Sequence, residues 1–146
     1  MEQQCGGCLC GAVRYRVTGP PVATSLCHCD SCRRATGGPS QAWAIFDEDK
    51  VEIVAGALAI FASSPGVERG FCARCGSALS YRRANRPGLF DVTTVSLDDP
   101  EAFPPDKEIW LEEKLSWEAA NPALPGFPRF STPPAAPAAR GPEPGP

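Results

Sequence analysis

The sequence predicts a mainly β domain of antiparallel sheets, with one short helical turn and bound metal ions that cross-link the chain. Two observations lead to this prediction. Apolar and polar residues alternate with a period of two in many short segments, which is typical of strands with one buried face. Seven of the eight cysteines also fall into three closely spaced groups, Cys8-x-Cys10, Cys27-x-Cys29-x-x-Cys32 and Cys72-x-x-Cys75.

The predicted strands are short and are separated by turn-forming residues. In "AVRYRVT", Val13, Tyr15 and Val17 alternate with polar residues, so one face of this strand is expected to be buried. Turn signals such as Arg86-Pro87-Gly88 separate the strands. Further strands are predicted at residues 22–26, 41–46, 51–54, 58–62, 77–82, 89–95 and 108–113.

One short helix is predicted over residues 31–36. Asp30 is a favourable residue to cap its N-terminus, and Gly37 and Gly38 are expected to end it. A single helical turn among many strands favours the mainly β class.

We predict one domain at residues 1–130, since a chain of 146 residues is long enough for one ordinary core. The remaining segment, 131–146, reads "STPPAAPAARGPEPGP" and contains no large apolar residue. Such a segment cannot bury enough surface to offset the entropy lost on ordering, so we predict a disordered tail.

Composition excludes several classes of function. The net charge of −3 gives no general attraction to nucleic acid, and no apolar run approaches the roughly 18 residues of a membrane span. The N-terminal "MEQQCGGC" lacks the basic and apolar stretches of a signal peptide, so we expect a cytoplasmic protein with reduced thiols. A disulfide framework is the alternative that the even number of cysteines leaves open.

The Cys72-x-x-Cys75 pair, followed by Gly76, predicts a zinc knuckle. In such a turn, backbone N–H groups can donate to the first sulfur, and the glycine relieves strain after the second. A redox dithiol is the alternative, but that motif normally opens a helix in a βαβ unit, and here the flanking segments are predicted strands.

Tetrahedral zinc needs four ligands, and Cys8 and Cys10 can supply the two that the knuckle lacks. If these two lie on a strand, their side chains point to one face and can converge on one ion. The resulting site would be closed and structural. Cys5 is expected not to bind zinc. Alternatively, Cys5-x-x-Cys8 could form a zinc knuckle, and Cys10 would then not be a ligand.

Cys27, Cys29 and Cys32 remain as a three-cysteine set. His28 lies between two cysteines on extended chain, so its side chain is expected to point away from them, toward solvent or the edge of the core. Catalytic zinc typically has three protein ligands and a fourth position that water or substrate occupies. The alternative is a site closed by Cys5 or by a backbone or water oxygen.

Several motifs in one order give the chain a family resemblance. It reads "GGCLCGAVRYRV", "CHCDSCRRATGG", "AWAIF", "ERGFCARCGSAL", "LDDP", "KLSW" and "LPGFPRF" over about residues 6–130. These motifs resemble the glutathione-dependent formaldehyde-activating enzyme family, which includes the centromere protein V relatives. The resemblance implies an Mss4-like β fold with two zinc ions per chain. It places structural zinc at Cys8, Cys10, Cys72 and Cys75, and catalytic zinc, which can be partly occupied, at Cys27, Cys29 and Cys32.

The activity that the resemblance implies joins glutathione to formaldehyde, giving S-(hydroxymethyl)glutathione, and is classed as a carbon–sulfur lyase. Glutathione carries two carboxylates, and Arg33, Arg34 and Arg69 lie near the cysteine groups in the sequence. Ser64 could donate a hydrogen bond to the same ligand. One departure from the family pattern is that "PDKEIW" places Glu108 where a P-x-x-H-I segment has histidine.

A second hypothesis is a non-catalytic zinc module that binds a protein partner, for which the Pro-rich tail could be a docking segment. A third is a redox dithiol protein. The leading hypothesis remains a zinc enzyme acting on a small thiol and an aldehyde, with no nucleic-acid or membrane partner.

Overall fold

The computed structural model describes residues 1–131, which form two β-sheets and one α-helix. The strands are β1 (Gln3–Gly7), β2 (Arg14–Thr18), β3 (Ala23–Cys27), β4 (Gln41–Asp47), β5 (Val51–Ala55), β6 (Ala59–Ser64), β7 (Val67–Phe71), β8 (Ala78–Arg83), β9 (Leu89–Thr93) and β10 (Glu108–Ile109). The helix α1 is Asp30–Thr36, and short 3₁₀ helices lie at Glu48–Lys50, Thr94–Ser96 and Leu111–Glu113.

The smaller sheet has the strand order β1-β2-β5, and the larger has the order β10-β3-β4-β9-β8-β7-β6. Every pair of neighbouring strands is antiparallel except β10 and β3, which are parallel. The predicted mainly β class is therefore confirmed. Within residues 1–131, no helix is long and apolar enough to cross a bilayer.

The main hydrophobic core joins the two sheets. Val13, Tyr15 and Val17, in and just before β2, pack with Phe46 of β4 and with residues of β8 and β9. The alternation seen in the sequence thus marks the face of β2 that is buried, as expected.

Two strands were not predicted, because neither shows the usual apolar alternation. In β1, Gly6 takes a core-facing position against the ring of Tyr15, where a larger side chain would not fit. In β7, the buried side includes Arg69, whose charge hides the strand pattern in the sequence. A residue's burial here depends on its partners in the fold rather than on its own hydrophobicity.

Several predicted strand ends differ by one or two residues, such as β9, predicted to residue 95, which ends at Thr93. Two other predictions failed for a local structural reason. The segment 108–113 is a strand only at Glu108 and Ile109, because Trp110 adopts a left-handed backbone with φ 58° and ends it. The N-cap of α1 is Cys29, whose Sγ accepts a hydrogen bond from the Cys32 N–H, so Asp30 is the first helical residue. The predicted C-terminal stop is confirmed.

Apart from Ser131, the predicted tail lies outside the described residues, so the boundary between domain and tail stays a prediction.

Phe46 gives a direct test of the core. Phe46 is fully buried in the core, whereas Phe61 on β6 is 61% exposed. We expect Phe46→Ala to lower the free energy of unfolding by about 3–5 kcal/mol, because it leaves a cavity. The matched control Phe61→Ala should change it by less than about 0.5 kcal/mol. Urea denaturation measures both, and similar losses for the two variants would contradict this core.

Candidate metal centres

The first cluster contains four cysteines from two turns. The Sγ atoms of Cys8, Cys10, Cys72 and Cys75 all lie within 4.8 Å of one another. Cys8 and Cys10 lie in the turn between β1 and β2, so the expectation that they occupy a strand was wrong. The turn is closed by a hydrogen bond from the Cys8 N–H to the Val13 carbonyl, 3.1 Å, and this bend presents both sulfurs on one side.

The spacing of these sulfurs fits a tetrahedral zinc ion. The Sγ atoms of Cys8 and Cys10 are 3.7 Å apart, and those of Cys10 and Cys72 are 3.8 Å apart. Zinc–sulfur bonds of about 2.3 Å in a regular tetrahedron put neighbouring sulfurs about 3.8 Å apart. A disulfide needs about 2.0 Å, and all eight cysteines are free thiols. The cluster can therefore hold a metal ion.

Backbone and hydroxyl groups make hydrogen bonds to the sulfurs of Cys72 and Cys75. The N–H groups of Arg74 and Cys75 point to the Cys72 Sγ at 3.4 and 3.5 Å, as expected for a knuckle. Hydrogen bonds from the Ser77 hydroxyl and backbone lower the pKa of Cys75 to about 5. Gly76 has φ 79°, a backbone conformation that glycine adopts without strain. In the same cluster, desolvation and the neighbouring sulfurs raise the pKa of Cys10 to about 11, so the four thiols do not all favour the charged form.

The second cluster contains three cysteines and is fully buried. Cys27 ends β3, Cys29 caps α1, and Cys32 lies in the first turn of that helix. Their Sγ atoms lie within 4.8 Å of one another, and all three residues are at most 1% exposed. No fourth histidine, cysteine or carboxylate ligand atom in residues 1–131 belongs to this cluster. Cys5 is exposed and belongs to neither cluster.

His28 turns away from the sulfurs, but it does not face solvent. Its side chain is completely buried, and its Nε2 lies 2.7 Å from the Oε1 of Glu108. Its backbone N–H donates to the Ile109 carbonyl at 3.1 Å. The expected orientation was right, and the expectation of a solvent-facing or core-edge position was wrong.

Glu108 is the partner that sequence reasoning missed. It is 1% exposed, and its Oε2 accepts a hydrogen bond from the Asn121 N–H at 2.6 Å. Glu108 follows His28 by 80 residues, so only the parallel pairing of β10 with β3 reveals the contact. The departure from the P-x-x-H-I pattern singled out position 108 in the sequence, but it did not identify His28 as the partner of Glu108.

Arg69 lies against the three-cysteine cluster. Its Nη1 and Nη2 are each 3.8 Å from the Cys32 Sγ, and its Cζ is 5.0 Å from the centroid of the Tyr81 ring. Hydrogen bonds from Cys27 and Cys29, together with the Arg69 charge, hold the pKa of Cys32 well below its usual range. This predicted binding residue therefore contacts a candidate metal ligand directly.

The other three predicted ligand-binding residues lie elsewhere. Arg33 donates from Nε to the His28 carbonyl at 3.2 Å, and exposed Arg34 pairs with Asp30 at 2.9 Å. Ser64 lies at the end of β6, away from both clefts described next, and its Oγ has no hydrogen-bond partner among the described residues. The structure therefore does not gather these side chains around the cluster. Their binding role stays a prediction.

Two clefts flank the three-cysteine cluster, and Trp43 contributes to both. The cationic cleft, of about 220 Å³, is lined by Cys27, Trp43, Tyr81, Arg83, Arg86 and Lys107. The apolar cleft, of about 400 Å³, is lined by Cys32, Trp43, Phe61, Arg69, Gly70 and Phe71. Each cleft thus reaches a different cysteine of the cluster.

Charged groups in the cationic cleft are already positioned by the protein. Arg86 pairs with the buried Asp91 at 2.6 Å, and burial raises the pKa of Asp91 to about 6. The Lys107 Nζ donates to the Thr24 carbonyl at 2.8 Å, and the Arg83 guanidinium stacks on the Phe130 ring. A small anion with carboxylates would therefore meet cations that are held in place.

We expect Glu108→Ala to lower the free energy of unfolding by about 3 kcal/mol, because it removes one side of a buried polar pair. Glu112, which forms an exposed pair with Arg129 at 2.7 Å, is the matched control. Glu112→Ala should cost less than about 1 kcal/mol. Denaturation of the metal-loaded proteins measures both, and equal losses would show that the His28–Glu108 contact contributes little.

Comparison with known proteins places this geometry in a family. The family description "Glutathione-dependent formaldehyde-activating enzyme" matches residues 3–113. A Halomonas elongata protein, provisionally named a glutathione-dependent formaldehyde-activating enzyme, is 35% identical over 122 residues, or 77% of each chain. A Schizosaccharomyces pombe protein named an uncharacterized lyase is 25% identical over 114 residues, or 78% of this chain and 82% of its own.

A solved structure shows the same similarity in three dimensions. The crystal structure of a Rhodobacter sphaeroides protein superposes with a TM-score of 0.55 at 25% identity, covering 65% of this chain and 88% of that one. The family match spans most of the chain, including all seven cysteines of the two clusters. The chain belongs to the glutathione-dependent formaldehyde-activating enzyme family.

Proposed function

We propose that the protein is a zinc-dependent carbon–sulfur lyase that joins a small thiol, such as glutathione, to formaldehyde or a related aldehyde, and also catalyses the reverse reaction. The observation that carries this proposal is the buried cluster of Cys27, Cys29 and Cys32, to which no other side chain in residues 1–131 adds a ligand atom. Zinc with three protein ligands keeps a position for substrate, as catalytic zinc sites do. The family and the name of the Halomonas relative support the substrate pair.

The chemistry of the three-cysteine cluster suits a soft divalent cation. Thiolate sulfur binds zinc in preference to the harder magnesium and calcium ions. When bound, zinc would supply a positive charge that lowers the pKa of a thiol held beside it. The backbone N–H of Cys32 already donates to the Cys29 Sγ at 3.1 Å, which orients that sulfur before any ion binds.

The reaction forms one bond and moves one proton. The substrate thiol releases its S–H proton, its sulfur gives an electron pair to the aldehyde carbon, and the π electrons of the C=O bond move to oxygen, which takes up the released proton. The product is a hemithioacetal, S-hydroxymethylated when the aldehyde is formaldehyde, and reversal breaks the same carbon–sulfur bond. The described residues support this step by excluding water, since Cys27, Cys29 and His28 are at most 1% exposed.

The cationic cleft is our proposed site for the rest of the thiol substrate. It begins at Cys27 and contains the cations Arg83, Arg86 and Lys107. Arg86 and Lys107 already pair with Asp91 and Asp106, so a substrate carboxylate would share these cations with them. Its aromatic walls, which include Trp43, favour binding of the apolar parts of a peptide-like ligand. A glutathione-like molecule could place its sulfur at the cluster and a carboxylate among these cations.

The four-cysteine cluster is proposed to be structural. It joins the β1–β2 turn to the β7–β8 turn and thereby links the two sheets, and four protein sulfurs complete a zinc coordination shell. Both clusters need reduced thiols, which favours the cytoplasm as the place of action.

Substitutions in the two clusters should have different effects. We expect the parent to bind two zinc ions per chain. Cys72→Ser should lose the closed site and much of the folding stability, because metal-binding free energy stabilises the fold. Cys29→Ser should keep the fold and lose one zinc ion with the activity. Zinc analysis and melting curves measure these outcomes, and equal melting temperatures for Cys72→Ser and the parent would overturn the structural role.

Isotope exchange tests the named reaction. The parent should accelerate the transfer of label between formaldehyde and S-(hydroxymethyl)glutathione, and Cys29→Ser should leave only the uncatalysed rate. A parent that binds two zinc ions and shows no acceleration would rule out this substrate pair. A non-catalytic zinc module for a protein partner would then be the better hypothesis.

A further inference from the structure

Arg69 is a buried cation whose charge is not balanced by a carboxylate. It is 7% exposed, and no carboxylate in residues 1–131 lies within ion-pair distance of it. Its Nη atoms face the Cys32 Sγ, and its Cζ lies over the Tyr81 ring, 5.0 Å from the centroid. Its Nε has no hydrogen-bond partner in the described part of the chain.

Burial of such a charge is costly unless an opposite charge lies beside it. The face of one aromatic ring offsets only part of that cost. The nearest groups that can supply the remaining compensation are the sulfurs of the three-cysteine cluster. Three thiolates around one divalent ion carry one net negative charge, which the guanidinium balances.

We propose that Arg69 selects an anionic fourth ligand, a thiolate, over a neutral one at the three-cysteine cluster. This inference rests on the proposed function and names a specificity-determining residue for it. A thiolate added to the cluster raises its negative charge by one unit. The Arg69 charge, 3.8 Å from the Cys32 Sγ, lowers the cost of that addition, whereas a neutral ligand gains little from it.

The fold keeps this charge in place. Arg69 pairs with Tyr81 in the antiparallel register of β7 and β8, so the guanidinium stacks on the side chain of its cross-strand neighbour. Arg69 and Cys32 also line the apolar cleft together. The guanidinium therefore lies beside the cluster whichever cleft a small thiol uses to reach it.

The test uses the full chain with Co²⁺ in place of zinc, because sulfur-to-cobalt absorption reports the ligands directly. The two probes are 2-mercaptoethanol, which has no carboxylate to bind elsewhere, and imidazole, which is neutral at about pH 8. Each is titrated into the parent, Arg69→Gln, Arg69→Lys and Arg82→Gln. Arg82 is the matched control, since it lies on β8 next to Tyr81 but is exposed and paired with Glu48.

We expect Arg69→Gln to weaken binding of 2-mercaptoethanol by about ten-fold or more, and binding of imidazole by less than about two-fold. Arg69→Lys should recover most of the thiol affinity, because it restores the charge. Arg82→Gln should match the parent for both probes. Melting curves of the cobalt-loaded proteins check that every variant keeps the parent's fold.

The alternative outcomes separate the two proposals. Suppose that the parent binds both probes, and that Arg69→Gln either weakens the binding of both equally or weakens the binding of neither. Arg69 then does not select the ligand, and the proposed function stands. If Arg69→Lys behaves like Arg69→Gln, shape rather than charge matters and the inference is overturned. If neither probe changes the cobalt spectrum of the parent, the fourth position is closed and both proposals fail.

Discussion

The mutual repulsion of three sulfurs in the protein interior is the constraint around which this part of the molecule is arranged. Cys27, Cys29 and Cys32 lie within 4.8 Å of one another with almost no solvent contact. As thiolates they would repel strongly at low dielectric, so the surroundings must supply positive charge and hydrogen-bond donors. The Cys32 N–H and the Arg69 guanidinium supply part of that compensation, and a divalent cation would supply the rest.

The elements that carry the three cysteines are held together by a polar contact between distant parts of the chain. His28 lies between two of the cysteines, and its ring is bonded to Glu108 on β10, the strand at the edge of the larger sheet. Glu108 in turn accepts a hydrogen bond from the chain at Asn121. The segment after β9 is thus attached to the cysteine-bearing loop by side-chain bonds as well as by the short parallel ladder.

The four-cysteine cluster links the two sheets. Its cysteines lie in turns that belong to different sheets, and its geometry matches a closed zinc tetrahedron. In the function we propose, the closed cluster that joins the sheets stabilises the fold, and the buried three-cysteine cluster beside two clefts carries the chemistry. Under that proposal, substitutions in the clefts are expected to change the substrate while the closed cluster maintains the fold.

The sequence by itself determined the mainly β class, the partition of seven cysteines into two clusters, the knuckle turn at Gly76 and the direction of the His28 side chain. The β class, the knuckle turn and the His28 direction follow from local periodicity or spacing, which the chain carries over a few residues. The partition of the cysteines follows from the four ligands that a closed zinc site needs. Only the tertiary structure decided that His28 is buried against Glu108, that Arg69 contacts Cys32, and that the cations near Cys27 are Arg83, Arg86 and Lys107. These contacts join residues far apart in the chain, and strand register sets them, which no local pattern encodes.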